Sequence, residues 1–431
     1  MGTVRVNTMT VIVIFIVLIL LYSLLSRCIE RTKLTAPMVF AGAGMLVLFV
    51  VPSLREQQAN LEVFMRVAEI GLVLLLFTDA SRTDLQVLKS IRNLPARLLS
   101  VGMLLTILLG ALGALVVFRQ LSVLEAGILA AILAPTDAGL GQIIVNSPRV
   151  PMKIRQALNV EAGLNDGLSV PFLLFFMALA GSGAEGQEAS LGRFIVEQLG
   201  YGALVGVGIG LVGGLLLGLA HSKSWVAESW QQLGVVALPL LCAVASEAVG
   251  ASMFIAAFLA GLAVQVGFKD GGKHAGEFTE GWGQLLNLSV FFLFGLLVVR
   301  ALPQFNGMHF LYAGLSLTVV RMLPVAIALW GTRLSSATVL FMGWFGPRGL
   351  ASIVLGLVYI EHTMHQEGLS TITLAVMATV FISIFAHGLS AVPGMELYAR
   401  KIAALEPSAP EHEGGAELAG VDSTASTSKH Q

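Results

Sequence analysis

The stretches Ala134-Pro135-Thr136-Asp137-Ala138-Gly139-Leu140-Gly141 and Phe345-Gly346-Pro347-Arg348-Gly349-Leu350-Ala351-Ser352 decide how this chain folds. Each lies in the middle of an apolar run long enough to cross a bilayer. Each sets a proline, glycines and one charge where a helix should continue. Proline removes a backbone donor and collides with the carbonyl four residues back, and glycine loosens the helix further. Both runs are expected to be broken helices. At membrane depth such breaks survive only where they line a cavity or are buried in protein. One break carries an acid and the other a base. Half-helix ends carry partial charges of both signs, so Asp137 and Arg348 are suited to neutralise them.

The composition around these stretches fits a bilayer. Of 431 residues 56% are hydrophobic, 47 are Gly and only 12% are charged. An ordinary soluble domain carries about 25% charged residues. This excludes a soluble enzyme, a disordered chain and a disulfide scaffold. A formal net charge of −1 gives no sign of a nucleic-acid partner. Cys28 and Cys242 lie far apart and fit neither a metal cluster nor a disulfide framework. No metal-ligand spacing, Ser/His/Asp set or phosphate loop is present, so neither an enzyme nor a cofactor is expected.

A span of about 20 mostly apolar residues crosses a bilayer as a helix. Thirteen such runs are expected: 9–27, 35–52, 63–80, 95–118, 123–145, 155–180, 194–220, 232–249, 251–267, 284–300, 309–330, 338–360 and 371–393. With the N-terminus outside, sixteen Lys and Arg, from Arg27 to Lys401, fall on the inner side against six outside. That asymmetry sets the orientation and places the C-terminus in the cytoplasm. The stretch 181–192 reads as a polar outer loop. Residues from about 404 to 431, rich in Ala, Glu, Gly, Ser and Thr, read as a disordered cytoplasmic tail.

The two breaks fall in spans 5 and 12, seven apart. Spans 4–6 and 11–13 (about 95–180 and 309–393) are then corresponding triplets of opposite orientation, the inverted-repeat architecture of secondary transporters. The alternative is a pair of merely kinked helices around a buried ion pair. Ionisable groups inside spans are functional candidates by default, because each costs about 2.5–3.5 kcal/mol at mid-depth. Here they are Glu69, Asp79, Asp137, Glu161, Asp166, Glu247, Arg321 and Arg348. Glu69, Glu247 and Asp79 are close enough to span ends to be interface residues. In span 6, Glu161 and Asn165 share a helix face, while Asp166 points about 100° further round. One carboxylate can therefore be locked to a base while the other faces a cavity. A lone desolvated carboxylate holds either a proton or a hard cation bound through oxygen, and competition between the two is itself an exchange mechanism.

At these residues the chain resembles the NhaP/NHE-type cation:proton antiporters. The resemblance is carried by Thr136-Asp137 in span 5, Glu161 to Asn165-Asp166 in span 6, and Gly346 to Gly349 in span 12. It implies an all-α polytopic fold of about thirteen spans with two crossed broken helices. It also implies a core of spans 4–6 and 11–13 against a scaffold of spans 1–3 and 7–10 that forms a homodimer. Asp166 would be the shared carboxylate for cation (Na⁺ in the leading reading) and proton. Asn165 would be its polar neighbour and the mark of electroneutral exchange. Thr136 and Asp137 would line and balance the crossing, Glu161 would pair with Arg348, and Asp79 would help form the cytoplasmic ion site. Two departures stand out: Ala138 replaces the family's common proline, and Ala162 replaces its common serine. The second removes a hydroxyl ligand from the face of Asp166.

The sequence thus leads to a Na⁺(Li⁺)/H⁺ antiporter of the inner or plasma membrane, with K⁺/H⁺ exchange as the near alternative. A channel and an organic-solute transporter are the more distant ones. Two side expectations follow. Gly202, Gly206, Gly210, Gly214 and Gly218 form an i+4 stripe for close helix approach, either within the protomer or at a sliding or dimer surface. His221, His274, His309, His362, His365 and His387 fall at loops or span ends, where histidines are solvated or sense pH.

Overall fold

The computed structural model describes residues 2–30, 32–50, 61–82, 93–181, 196–268, 271–362, 371–406 and 409–411. Among these there is no β-strand, and the chain makes thirteen helical passes. They are α1 (Gly2–Glu30), α2 (Ala36–Val50), α3 (Leu61–Arg82), α4 (Asn93–Val117), the broken α5 (Val123–Ile132 and Ala138–Val145) and α6 (Met152–Gly181). Then follow α7 (Val196–Ser222), α8 (Glu228–Val249), α9 (Met253–Gly267), α10 (Gly271–Ala301), α11 (Gly307–Ala328), the broken α12 (Ser336–Trp344 and Leu350–His362) and α13 (Thr371–Ala403). Eight passes are long and apolar enough to cross a membrane unaided, and four of the remaining helices are shorter and apolar. The expected outer loop at 181–192 lies, from residue 182, outside the described residues, as does the tail from residue 412.

Helix starts follow local chemistry. Ser122 and Glu125 form a reciprocal capping box at the head of α5. Asn306 does the same for α11 with His309, whose Nδ1 accepts the Asn306 N–H at 3.0 Å. His309 is buried, not solvated as expected, because this cap draws it in. At the other end of α11, Arg97 donates to the carbonyls of Ala328 and Trp330 at 3.3 and 2.7 Å. Orphan carbonyls at a helix C-terminus need such a partner.

One side of the molecule is a tight stack of α7, α8 and α9 with α2, α3 and α10. The glycine stripe of α7 makes this packing possible. A β-carbon at Gly206, Gly210, Gly214 or Gly218 would strike the carbonyl oxygen of Ala256, Ala260, Val264 or Gly267 on α9. The stripe is thus spent inside the protomer. Gly44 of α2 and Gly295 of α10 approach each other's backbones in the same way. Near one end of this stack Arg66 reaches Glu69 at 3.4 Å and Glu247 of α8 at 3.9 Å. The other side is built from α4, α5, α6, α11, α12 and α13, and α6 meets the first side through α3 and α9.

Candidate ion-binding site

The two breaks cross back to back. α5 unwinds over 133–137 and α12 over 345–349. The Asp137 N–H donates to the Pro347 carbonyl at 2.7 Å, which joins the two loops through their backbones. The Asp137 carboxylate then caps two half-helices at once. Its Oδ1 accepts from Leu140 N–H at 2.8 Å, at the head of Ala138–Val145. Its Oδ2 accepts from Leu350 N–H at 2.5 Å, at the head of Leu350–His362. A β-carbon at Gly349 would strike this carboxylate, so glycine is required for the approach. Arg348 serves the opposite polarity: its NH1 donates to the carbonyls of Ala134 and Pro135, which close the first half of α5. Anions at helix N-termini and cations at C-termini are the favourable combination.

The fourth half-helix end is capped by a residue that sequence reasoning placed in solvent. His387 is buried, and its Nε2 lies 2.9 Å from the carbonyl of Trp344, the last residue of Ser336–Trp344. Ser383 Oγ accepts the Arg348 backbone N–H at 2.7 Å and lies 3.2 Å from His387 Nδ1. His387 Nδ1 also lies 3.0 Å from the Ser383 carbonyl, so both ring nitrogens are engaged. His387 escaped the sequence reading because α13 continues to Ala403, ten residues past its expected end, which makes position 387 mid-helix.

On α6 the three candidates diverge as the helical geometry requires. Asn165 Nδ2 donates to Thr136 Oγ1 at 2.7 Å, tying α6 to the α5 break. Glu161 forms its ion pair with Arg321 of α11 at 2.6 Å, not with Arg348 as expected. Arg348 is held by the carbonyls of the α5 break. Arg321 follows the interruption of α11 at Thr318 and lies against Gly346, where a β-carbon would strike its guanidinium. Both partners are 3% exposed. The sequence flagged Arg321 as an in-span charge but offered no partner.

Asp166 is different. It is 3% exposed, and its Oδ1 is buried with no hydrogen-bond partner. Its charged neighbours are Asp137 and Asp79. Asp79 of α3 packs against Gly163, one turn before Asp166 on α6. The ring of Phe258 from α9 covers Gly167 just beyond. Asp166 thus sits where α6 faces the α3/α9 side. Asn165 Oδ1 is likewise buried and unpartnered. Asn287 of α10, unflagged because an amide carries no charge, places its Nδ2 against Gly139 and leaves a buried Oδ1 unpartnered.

A small cleft, with room for about one water molecule, opens beside this junction. Its walls include Val145, Leu158, Asn159 and Phe345, and it ends on Thr136, Asp137, Glu161 and Ala162. Ala162 lies one turn before Asp166 on the same helix face, so the cleft stops a turn short of that carboxylate. The arrangement offers a buried carboxylate without donors, neighbouring oxygens, and a small cleft one turn away. Such a set of hard oxygen ligands suits a hydrated or partly dehydrated cation.

The chain is similar to known proteins over most of its length. The chain is 26% identical over 267 residues to a probable Na⁺/H⁺ antiporter of Schizosaccharomyces pombe, covering 56% of this chain and 34% of that protein. It is 27% identical over 332 residues to the K⁺/H⁺ antiporter NhaP of Alkalimonas amylolytica, covering 73% of this chain and 56% of that protein. The chain thus spans about a third to just over half of the length of these curated relatives. Its fold matches the sodium proton antiporter MjNhaP1 of Methanocaldococcus jannaschii with a TM-score of 0.73 at 20% identity, covering 92% of this chain and all of that one. Residues 6–391 match the family described as sodium/hydrogen exchanger, transmembrane, and this chain is an integral membrane protein belonging to that family.

Proposed function

We propose that this protein exchanges a monovalent cation for a proton at Asp166, by alternating access. The observation that carries this reading is the contrast at the junction. Every half-helix end there has a partner, and Asp166 alone among its acids keeps a buried oxygen without one. Protonated, the carboxylate is neutral and can be carried through a low-dielectric seam. Ionised, it needs a counter-charge, and a cation supplies it.

Asn165 and Thr136 order the ligands around Asp166 through their mutual hydrogen bond. Asp137 holds the crossing, and Asp79 adds negative potential on the path of the ion. The Glu161–Arg321 pair and Arg348 are structural. The bundle α4–α6 with α11–α13 moves against α1–α3 and α7–α10, and the latter helices form a homodimer. One positive charge enters as one leaves. The membrane potential, about 2.3 kcal/mol per charge per 100 mV, then does no work on the cycle. The N-terminus lies outside and the C-terminus in the cytoplasm, at the inner or plasma membrane.

Na⁺ and Li⁺ are the proposed substrates. A K⁺/H⁺ reading has one observation in its favour: Ala162 supplies no hydroxyl ligand on the face of Asp166. The larger, more easily dehydrated K⁺ tolerates a sparser site. Reconstituted vesicles with an imposed pH gradient separate the cases. Addition of Na⁺ or Li⁺ should dissipate the gradient at a saturable rate that a potential clamp leaves unchanged. Dissipation by K⁺ alone would establish the second reading, and no response to any of the three would reject exchange altogether.

A further inference from the structure

The chain does not drift away from the bundle after α13. Residues 409–411 fold back onto the head of Ser336–Trp344. These are the last described residues of the stretch that composition reads as a tail, and they have a specific seat. Glu411 is 2% exposed. Its Oε1 accepts from Ser335 N–H at 2.7 Å and from the Thr338 hydroxyl at 2.8 Å. The Tyr398 hydroxyl closes the group at 3.0 Å from Thr338 Oγ1. Ser335 already caps this nine-residue half-helix through Thr338 N–H. Glu411 is therefore an additional carboxylate, held by the Thr338 hydroxyl and the Ser335 backbone N–H. One residue earlier, the Pro410 carbonyl accepts from Lys153 Nζ at 3.2 Å, in the first turn of α6.

These contacts lead to the cleft. The Tyr398 ring stacks on Phe341 with centroids 4.1 Å apart, and Phe341 meets Phe345 at 4.7 Å. Phe345 forms one wall of the cleft, while Leu158 and Asn159 of α6 form another. Residues 409–411 thus tie the α12 wall to the α6 wall from outside.

We propose that the head of Ser336–Trp344 is a carboxylate seat, occupied by the chain's own Glu411, and that its occupancy sets the width of the cleft leading to Thr136 and Asp137. With Glu411 seated, the stack Tyr398–Phe341–Phe345 is fixed and the cleft is narrow. With Glu411 released, the first half of α12 frays and Phe345 retreats. Any acidic segment able to compete for Ser335 N–H and Thr338 would act on the same wall. The inference does not depend on which ion, if any, the protein carries.

The full chain with Glu411→Ala or Glu411→Gln tests it. Hydrogen exchange reads the seat, and alkylation of Val145→Cys, in a Cys28→Ser background, reads the cleft. Glu411→Ala should speed amide exchange across 336–345 by about ten-fold and alkylation by about five-fold, as local opening predicts. Glu411→Gln, which keeps one acceptor oxygen, should fall between. Unchanged exchange at 336–345 would overturn the seat. Faster exchange with unchanged alkylation would overturn its control of the cleft. Neither readout requires transport, so a failure of the exchange mechanism would show separately in vesicles.

Discussion

Asp137 and Asp166 are both buried in the same junction, at 5% and 3% exposure, and they are bonded in opposite ways. Asp137 spends both oxygens on the N–H groups of Leu140 and Leu350, and so holds two half-helices in place. Asp166 leaves Oδ1 without a partner. A buried carboxylate that accepts a backbone N–H on each oxygen is better held as an anion than one with no donors, and has fewer lone pairs left for a ligand. A buried carboxylate without donors is costly as an anion and gains by taking up a proton or a cation. The difference separates an acid that builds the site from one that works in it.

The widest test of this contrast replaces each acid by its amide. Asp166→Asn should abolish cation-driven dissipation of a pH gradient while leaving the melting temperature of the purified protein within about 2 °C of wild type. Asp137→Asn should do the reverse in kind. An amide accepts with only one atom, so one half-helix loses its cap, at a cost of about 1–3 kcal/mol in stability.

Larger in stability, though not in activity, is the pair on the far face of α6. Glu161→Gln and Arg321→Gln should each cost about 3–5 kcal/mol by leaving an uncompensated buried charge, and the double substitution should cost less than the sum. Denaturation of the four proteins gives the coupling. The same cycle with Arg348 in place of Arg321 should show weak coupling, since Arg348 is bonded to the Ala134 and Pro135 carbonyls. A strong Glu161–Arg348 coupling would restore the pairing expected from sequence.

Asn165→Ala sharpens the contrast at smaller scale. Loss of the 2.7 Å bond to Thr136 should cost about 1 kcal/mol. It should also raise the apparent KM for the cation in vesicles, with the maximal rate less affected.

The smallest effect expected is at Glu411, outside the membrane-spanning segments. Burial pushes its carboxyl up, but the donors Ser335 N–H, Thr338 and Ser335 hydroxyl outweigh this and hold it below its ordinary value. A carboxyl depressed in the folded state adds stability that is complete above its unfolded pKa of about 4.3 and lost as pH falls through the lower folded value. Among the described residues, Lys153 bonds to Pro410 beside this segment, and Tyr398 bonds to Thr338. The melting difference between wild type and Glu411→Gln should therefore amount to about 1 kcal/mol at neutral pH. It should shrink toward zero on acidification.

Much of this was legible in the sequence because the signals are local. Proline, glycine and a charge in mid-span are sufficient to mark 133–137 and 345–349 as breaks, and the spacing of Glu161, Asn165 and Asp166 fixes their divergence on α6. The partner of Glu161 was not legible, because Arg321 and Arg348 are equivalent as in-span bases until packing is known. Only the crossing shows that Arg348 is already bound to Ala134 and Pro135. His387 was hidden by the end of the apolar run, which precedes the end of the helix. Glu411 was hidden by composition: a polar tail reads as disorder unless one of its residues has a seat, and the seat is made by Ser335, Thr338 and Tyr398 far away in sequence.

The central claim is that one carboxylate alternates between hydrogen ion and metal ion. The most direct measurement is proton release into weakly buffered detergent solution on addition of Na⁺, Li⁺ or K⁺ to purified protein. The account predicts release from the wild type, saturating near one proton per chain for the transported ion, and none from Asp166→Asn. Undiminished release from Asp166→Asn, or its loss only in Asp137→Asn, would contradict it.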